Sequence, residues 1–163
     1  MKAKPTNVLF VCTGNVCRSP MAAGLFVLHE GSASDCVTGS AGIQGVDGQS
    51  AHPLVREYMS RRRIDLSGHR ARTVTPDLLK DCDLILVMET AHRTWIETRM
   101  PELAGRVYLL GHWRGLEISD PVNGSRAEFE RTARNMERCL ADWSEHTRAC
   151  ATSTAATVAG TAV

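Results

Sequence analysis

The 163-residue chain has no apolar run long enough to span a membrane. Its first residues, Met1-Lys2-Ala3-Lys4-Pro5-Thr6, lead toward a strand with no signal-peptide apolar region. Together these set the expectation of a cytoplasmic protein with no membrane insertion. An excess of one charge is also lacking: 19 Lys and Arg against 18 Asp and Glu leave a net charge of +1. That balance supplies no global field to gather nucleic acid or anionic lipid. There is no internal repeat, and no Gly-Lys-Ser/Thr that would mark a nucleotide-binding P-loop. Cys12 and Cys17 stand too far apart for the usual zinc-binding arm, and no matching Cys/His pair follows. No metal and no cofactor is implied. The six cysteines, in a chain large enough to fold on its own core, read as reduced thiols, one of them reactive.

What is present is an ordinary globular composition, 43% apolar and 23% charged. It predicts one domain over 1–150, followed by a low-complexity tail, 151–163, expected to be disordered. Strands are expected over 8–11, 36–38, 83–88 and 107–110. Helices are expected over 19–30, from 50 or 51 to 63, over 75–82, 90–99 and 126–148. The closing helix carries Phe129, Met136, Leu140 and Trp143 on one face. Arg61-Arg62-Arg63 reads as a solvated helix end. Strands alternating with helices imply a single-domain α/β fold, an open parallel four-stranded sheet flanked by helices. In such a sheet all four strand ends share one edge, where ligands bind.

The chemistry concentrates in Val8-Leu9-Phe10-Val11-Cys12-Thr13-Gly14-Asn15-Val16-Cys17-Arg18-Ser19-Pro20. A buried strand runs into a short loop, and Ser19 and Pro20 read as the N-cap and first residue of a helix. Backbone N–H groups along Thr13, Gly14, Asn15, Val16, Cys17, Arg18 and Ser19 would form a nest for a phosphate-sized anion. A thiolate at Cys12 is stabilised there by those N–H groups, the helix dipole and Arg18. Arg18 offers a planar fork for two phosphate oxygens, and Ser19 can hydrogen-bond the thiolate. Gly14 permits a positive φ, and Asn15 tolerates one. A Cys nucleophile, an anion cradle and an Arg beyond it are what phosphate transfer through a cysteinyl-phosphate needs. A buried Cys at a strand end is more commonly plain core, but here strand, cradle and helix start coincide.

The segment from Cys12 to Pro20 resembles the signature loop of the low-molecular-weight protein tyrosine phosphatases. The likeness runs from about Val8 to about His146. It is closest to the bacterial branch that acts on tyrosine kinases of capsule and exopolysaccharide export. Ser40-Ala41-Gly42, Gly68-His69-Arg70-Ala71-Arg72, Asp83 to Glu89, Gly111-His112-Trp113 and Asp120-Pro121 stand in the order of that branch. The resemblance implies that Asp120 is the general acid and later the base, with Glu117 a less favoured competitor. It implies that Ser40 and His69 buttress Asn15. It also implies a phosphotyrosine protein substrate, a cognate tyrosine kinase of polysaccharide export. Two features depart from the family. Val122 and Asn123 stand where many members carry an aromatic after Asp-Pro, and the loop near Val46 has no aromatic wall.

Two rival readings differ in what they require. An arsenate reductase on the same fold needs further redox cysteines; Cys82 has Glu89 where its partner would lie. A non-catalytic phosphotyrosine-binding module would have lost Cys12, Arg18 or Asp120, and all three are present. Cys12 and Cys17, sharing one loop, could also form a protective reversible disulfide.

Overall fold

In the computed structural model, residues 6–32 and 34–159 are described, side chains included as far as 148. Of the expected tail, 151–163, residues 160–163 lie outside the described residues, while the backbone of 151–159 is helical. Four strands form one sheet: β1 (Asn7–Cys12), β2 (Val37–Gly42), β3 (Leu84–Val87) and β4 (Val107–Leu109). Their order is β2-β1-β3-β4, and every pairing is parallel. Five helices connect and cover them: α1 (Arg18–Glu30), α2 (Pro53–Ser60), α3 (Pro76–Lys80), α4 (Thr90–Arg99) and α5 (Arg126–Ala159).

β1 sits between β2 and β3, so successive crossovers leave it toward opposite sides. That makes its carboxyl end the switch point of the sheet, where a crevice opens. The alternation along β1 explains its unbroken apolar run. Val8, Phe10 and Cys12 enter one core with α1, α2 and α5. Leu9 and Val11 enter the other with Leu79, Ile96 and Leu103. Each large side chain so buried contributes about 1.5–3 kcal/mol. On α5, Phe129, Ala133, Met136, Leu140 and Trp143 face the first core at helical spacing, and Trp143 Nε1 donates to Leu110 O at 2.8 Å.

Several boundaries differ from expectation. α5, expected to end near 148, runs on to Ala159, and α2 stops at Ser60 before the Arg61-Arg62-Arg63 turn. Four further differences have a local reason. α1 begins at Arg18 with Cys17 at the cap, not Ser19. Ser19 is fully buried, and its hydroxyl is engaged by the loop instead of capping. β2 is longer than 36–38 because it pairs with β1 along its whole length. Its outer position leaves its first residues half exposed, which hides the strand pattern. α2 starts only at Pro53, because His52 Nδ1 accepts from Leu54 N at 3.2 Å. α4 is capped by Glu89, with Thr90 already inside the helix.

Candidate active site

Beyond β1 the chain turns through 13–17 into α1, and the carbonyls of this turn are tied outward. Cys12 O accepts from Ile43 N (3.0 Å), Thr13 O from Gln44 N (2.9 Å) and Gly14 O from Val46 N (3.2 Å). Asn15 O accepts from His69 Nε2 (2.7 Å) and Val16 O from His52 N (2.7 Å). A peptide N–H lies opposite its C=O. Anchoring five successive carbonyls outward therefore turns the N–H groups of 13–17 inward, with the start of α1 behind them. Such an arrangement holds an anion. One of these donors, Asn15 N, lies 3.3 Å from Cys12 Sγ, and Ser19 Oγ lies 3.0 Å from the same sulfur.

Asn15 locks the turn. It adopts φ 58° and is fully buried. Its Nδ2 donates to Ser19 Oγ (2.9 Å) and Ser40 Oγ (3.0 Å), and its Oδ1 accepts from Arg72 N (2.9 Å). Ser40 and His69 thus both meet Asn15. Arg72 N does too, because 72–74 runs beside β2: Gly42 N donates to Arg72 O and Val74 N to Gly42 O, each at 2.9 Å. Of the two residues able to take a positive φ, Gly14 and Asn15, Asn15 alone does so. A Cβ at Gly14 would make only ordinary contacts, 3.7 Å or more away. The glycine the turn demands is Gly42, where a Cβ would lie 2.4 Å from Thr13 O and 2.9 Å from Asn15 N.

Arg18, 1% exposed, is gripped from both sides. Its Nη1 donates to Glu89 Oε1 and to Ile118 O (2.9 Å). Its Nη2 donates to Asp120 Oδ2 (3.0 Å) and Thr13 Oγ1 (3.4 Å). Its Nε is buried and has no hydrogen-bond partner among the described residues. That donor, with the loop N–H groups, can take anionic oxygens. Asp120 and Ile118 come from the segment after β4, Glu89 from the end of β3, and Arg18 from the start of α1. The sheet edge assembles the group. Asp120 Oδ1 also accepts from Val122 N at 3.1 Å. Glu117, the competing acid, is tied to the start of α4, where Thr90 N donates to its Oε1 at 2.7 Å. Thr90, through its side chain first and its N–H second, holds that carboxyl below the usual range.

Burial, then the nearby Asp120 and Cys12, push the Cys17 thiol up to about 12, so it is protonated at neutral pH. Cys82 is buried in the other core and bonds Leu78 O at 3.1 Å, turned to its own helix end. The five cysteines whose side chains are described are free thiols. Among the described residues no cluster of three His, Cys, Asp or Glu could hold a metal ion.

Sequence reasoning missed Glu89, His92, Gly42 and the Arg72 amide. A usable signal existed for Glu89: it follows a buried parallel strand directly, and such strand ends border the crevice.

The chain has known counterparts in sequence and fold. The sequence model for the family "Low molecular weight phosphotyrosine protein phosphatase" matches residues 7–152. The low molecular weight protein-tyrosine-phosphatase Ptp of Acinetobacter johnsonii is 41% identical over 140 residues, 86% of this chain and 96% of that protein. The solved tyrosine phosphatase Wzb from Escherichia coli K30, in complex with sulphate, has a TM-score of 0.79 and 31% identity over 86% of this chain and 97% of its own. The YwlE arginine phosphatase from Geobacillus stearothermophilus has a TM-score of 0.81 and 26% identity over 89% of this chain and 94% of its own. A Cys-based phosphate loop on a four-stranded parallel sheet defines the class, and this chain belongs to the low-molecular-weight protein tyrosine phosphatase family.

Proposed function

We propose that this phosphatase hydrolyses protein phosphotyrosine with Cys12 as nucleophile, Arg18 and the 13–19 loop as phosphate cradle, and Asp120 as acid and base. The observation that carries the reading is the setting of Cys12 Sγ, between Ser19 Oγ and Asn15 N, in the loop that also holds Arg18. In the first step the Cys12 sulfur bonds to phosphorus as the bond to the tyrosine oxygen breaks. Asp120 gives its proton to that leaving oxygen. In the second step Asp120 takes a proton from water, the water oxygen bonds to phosphorus, and the sulfur leaves as a thiolate. Ser19 Oγ hydrogen-bonds that thiolate and makes it a better leaving group. Inward N–H groups and the Arg18 guanidinium, through its unengaged Nε–H, hold charge on the phosphoryl oxygens, the usual large term in such catalysis. Protonation by Asp120 adds about 10²–10⁴-fold.

The physiological substrate in this reading is an autophosphorylated tyrosine kinase of polysaccharide export, met in the cytoplasm. Its support is the order of motifs shared with the bacterial branch. No helix among the described residues is long and apolar enough to cross a membrane.

The test is turnover of phosphotyrosine, phosphoserine, phosphoarginine and arsenate by wild type and Cys12→Ser, with sulfate binding measured on both. Phosphotyrosine hydrolysis that vanishes in Cys12→Ser while sulfate still binds is the expected result. Preference for phosphoarginine would overturn the substrate assignment, and thiol-coupled arsenate reduction would overturn the reaction. An autophosphorylated export kinase left untouched, beside rapid turnover of free phosphotyrosine, would remove the proposed partner.

A further inference from the structure

Four residues, Arg18, Glu89, His92 and Thr13, close a hydrogen-bonded ring at the phosphate loop. Arg18 Nη1 donates to Glu89 Oε1, and Glu89 N donates to His92 Nδ1 at 3.2 Å. His92 Nε2 lies 2.9 Å from Thr13 Oγ1, and Arg18 Nη2 donates to the same oxygen at 3.4 Å. A backbone N–H only donates, so His92 Nδ1 is its acceptor, and the proton of the neutral ring is assigned to Nε2. Nε2–H therefore donates to Thr13. The Thr13 oxygen accepts twice, and its one hydroxyl proton is turned away from both donors. His92 is 2% exposed, at the first turn of α4. Its charged neighbours are Arg18 on α1, Glu89 beside it, and Asp120 and Glu117 on the segment after β4. Burial and the Arg18 charge favour the neutral ring this bonding needs. Starting α4 uses Nδ1 alone. The other nitrogen reaches into the phosphate loop, 79 residues away in sequence.

We propose that His92 is a positioning residue for the phosphotyrosine reaction: through Thr13 Oγ1 it fixes the edge of the Arg18 guanidinium that Thr13 and Asp120 share, and so sets the grip on phosphate. This rests on the reading of Arg18 as the phosphate-binding residue.

Two amides separate the arms of His92. Asn at 92 can present an oxygen to Glu89 N but is too short for Thr13. Gln at 92 can present an N–H to Thr13. His92→Asn should lose about tenfold in kcat/KM on nitrophenyl phosphate, mostly as a raised KM, with a matching rise in the sulfate inhibition constant. His92→Gln should stay within about threefold of wild type on both. Thr13→Val should reproduce the His92→Asn loss, and the double variant should be no worse than either single one. Three outcomes would overturn the proposal: His92→Asn with wild-type constants, Gln no better than Asn, or losses that add in the double variant. If His92→Asn does not fold, Thr13→Val, which keeps the side-chain shape, carries the same test against sulfate. Arg18→Ala and Cys12→Ser are run beside them. Should those two keep turnover, the catalytic reading has failed; should they lose it while His92→Asn is unchanged, only the role of His92 falls.

Discussion

The two halves of the site are built differently. On the side of the proposed nucleophile Cys12, Asn15, Arg18 and Ser19 are each 2% exposed or less, and five loop carbonyls are tied to the surround. On the side of the proposed acid the Asp120 side chain is 43% exposed and is held by Arg18 and by its own loop through Val122 N. Gripping a tetrahedral anion needs several donors fixed within a few tenths of an ångström, and only a packed, bonded turn keeps them there. An acid must meet a leaving oxygen and then water, so it stands where solvent and substrate enter. The contrast predicts that damage to one half reads mainly as lost binding geometry and stability, and damage to the other as lost chemistry alone.

The largest effect should come from the exposed half. Asp120→Asn should lower kcat on phenyl phosphate by about 10²–10³-fold and on nitrophenyl phosphate much less, since a good leaving group needs no proton. Its melting temperature should stay near wild type, because Asn keeps an oxygen that can accept from Arg18 Nη2 and Glu89 still pairs the buried guanidinium. Equal losses on the two substrates would remove Asp120 as the acid.

In the buried half, Asn15→Ala should cost about 3 kcal/mol in denaturant unfolding. It strands bonded groups on Ser19, Ser40 and Arg72 and places Ala at a positive φ. Asn15→Gly should recover about 1 kcal/mol of that, the share due to the backbone. If the two variants unfold at the same denaturant concentration, the left-handed conformation is not what Asn15 supplies.

Smaller still is the glycine pair. Gly42→Ala should destabilise by about 1–3 kcal/mol by overpacking against the loop backbone, and Gly14→Ala by less than about 1 kcal/mol. The reverse order, measured by thermal unfolding, would mean the turn relaxes away from β2.

Last is a pH effect on the link between the halves. The His92 pKa is lowered in the fold, by burial first and Arg18 second. Protons then bind the unfolded chain more tightly, so its contribution to stability is complete above the ordinary histidine range and is lost as pH falls through the folded value. Stability should decline below about pH 6.5, and His92→Gln should flatten that decline. An unchanged slope in the variant would assign the decline to other groups.

Much of this was legible in the chain. Val8 to Val11 announces a doubly buried strand, and Cys12, Arg18 and Ser19 fall within one short turn. Ser40 and His69 were reachable only through likeness to a family, because nothing in their own surroundings says they meet Asn15. Ser19 misled as a helix cap: Ser before Pro is a sound local signal, and the buried Cys12 and Asn15 outcompeted it. Gly14 and Asn15 were both open to the left-handed form, and it fell to the Asn, which has an amide to anchor it.

By itself the sequence determined the kind of chemistry. Cys12, the loop amides and Arg18 are a few bonds apart, and backbone geometry over so short a span leaves few ways to arrange them. Only the tertiary structure decided what surrounds Arg18. Glu89, Ile118 and Asp120 lie 71, 100 and 102 residues from it and meet it because β1 is hydrogen-bonded between β2 and β3. Local propensity carries no information about that order. It is set by which faces the helices bury, and the strand ends then deliver their side chains to one edge.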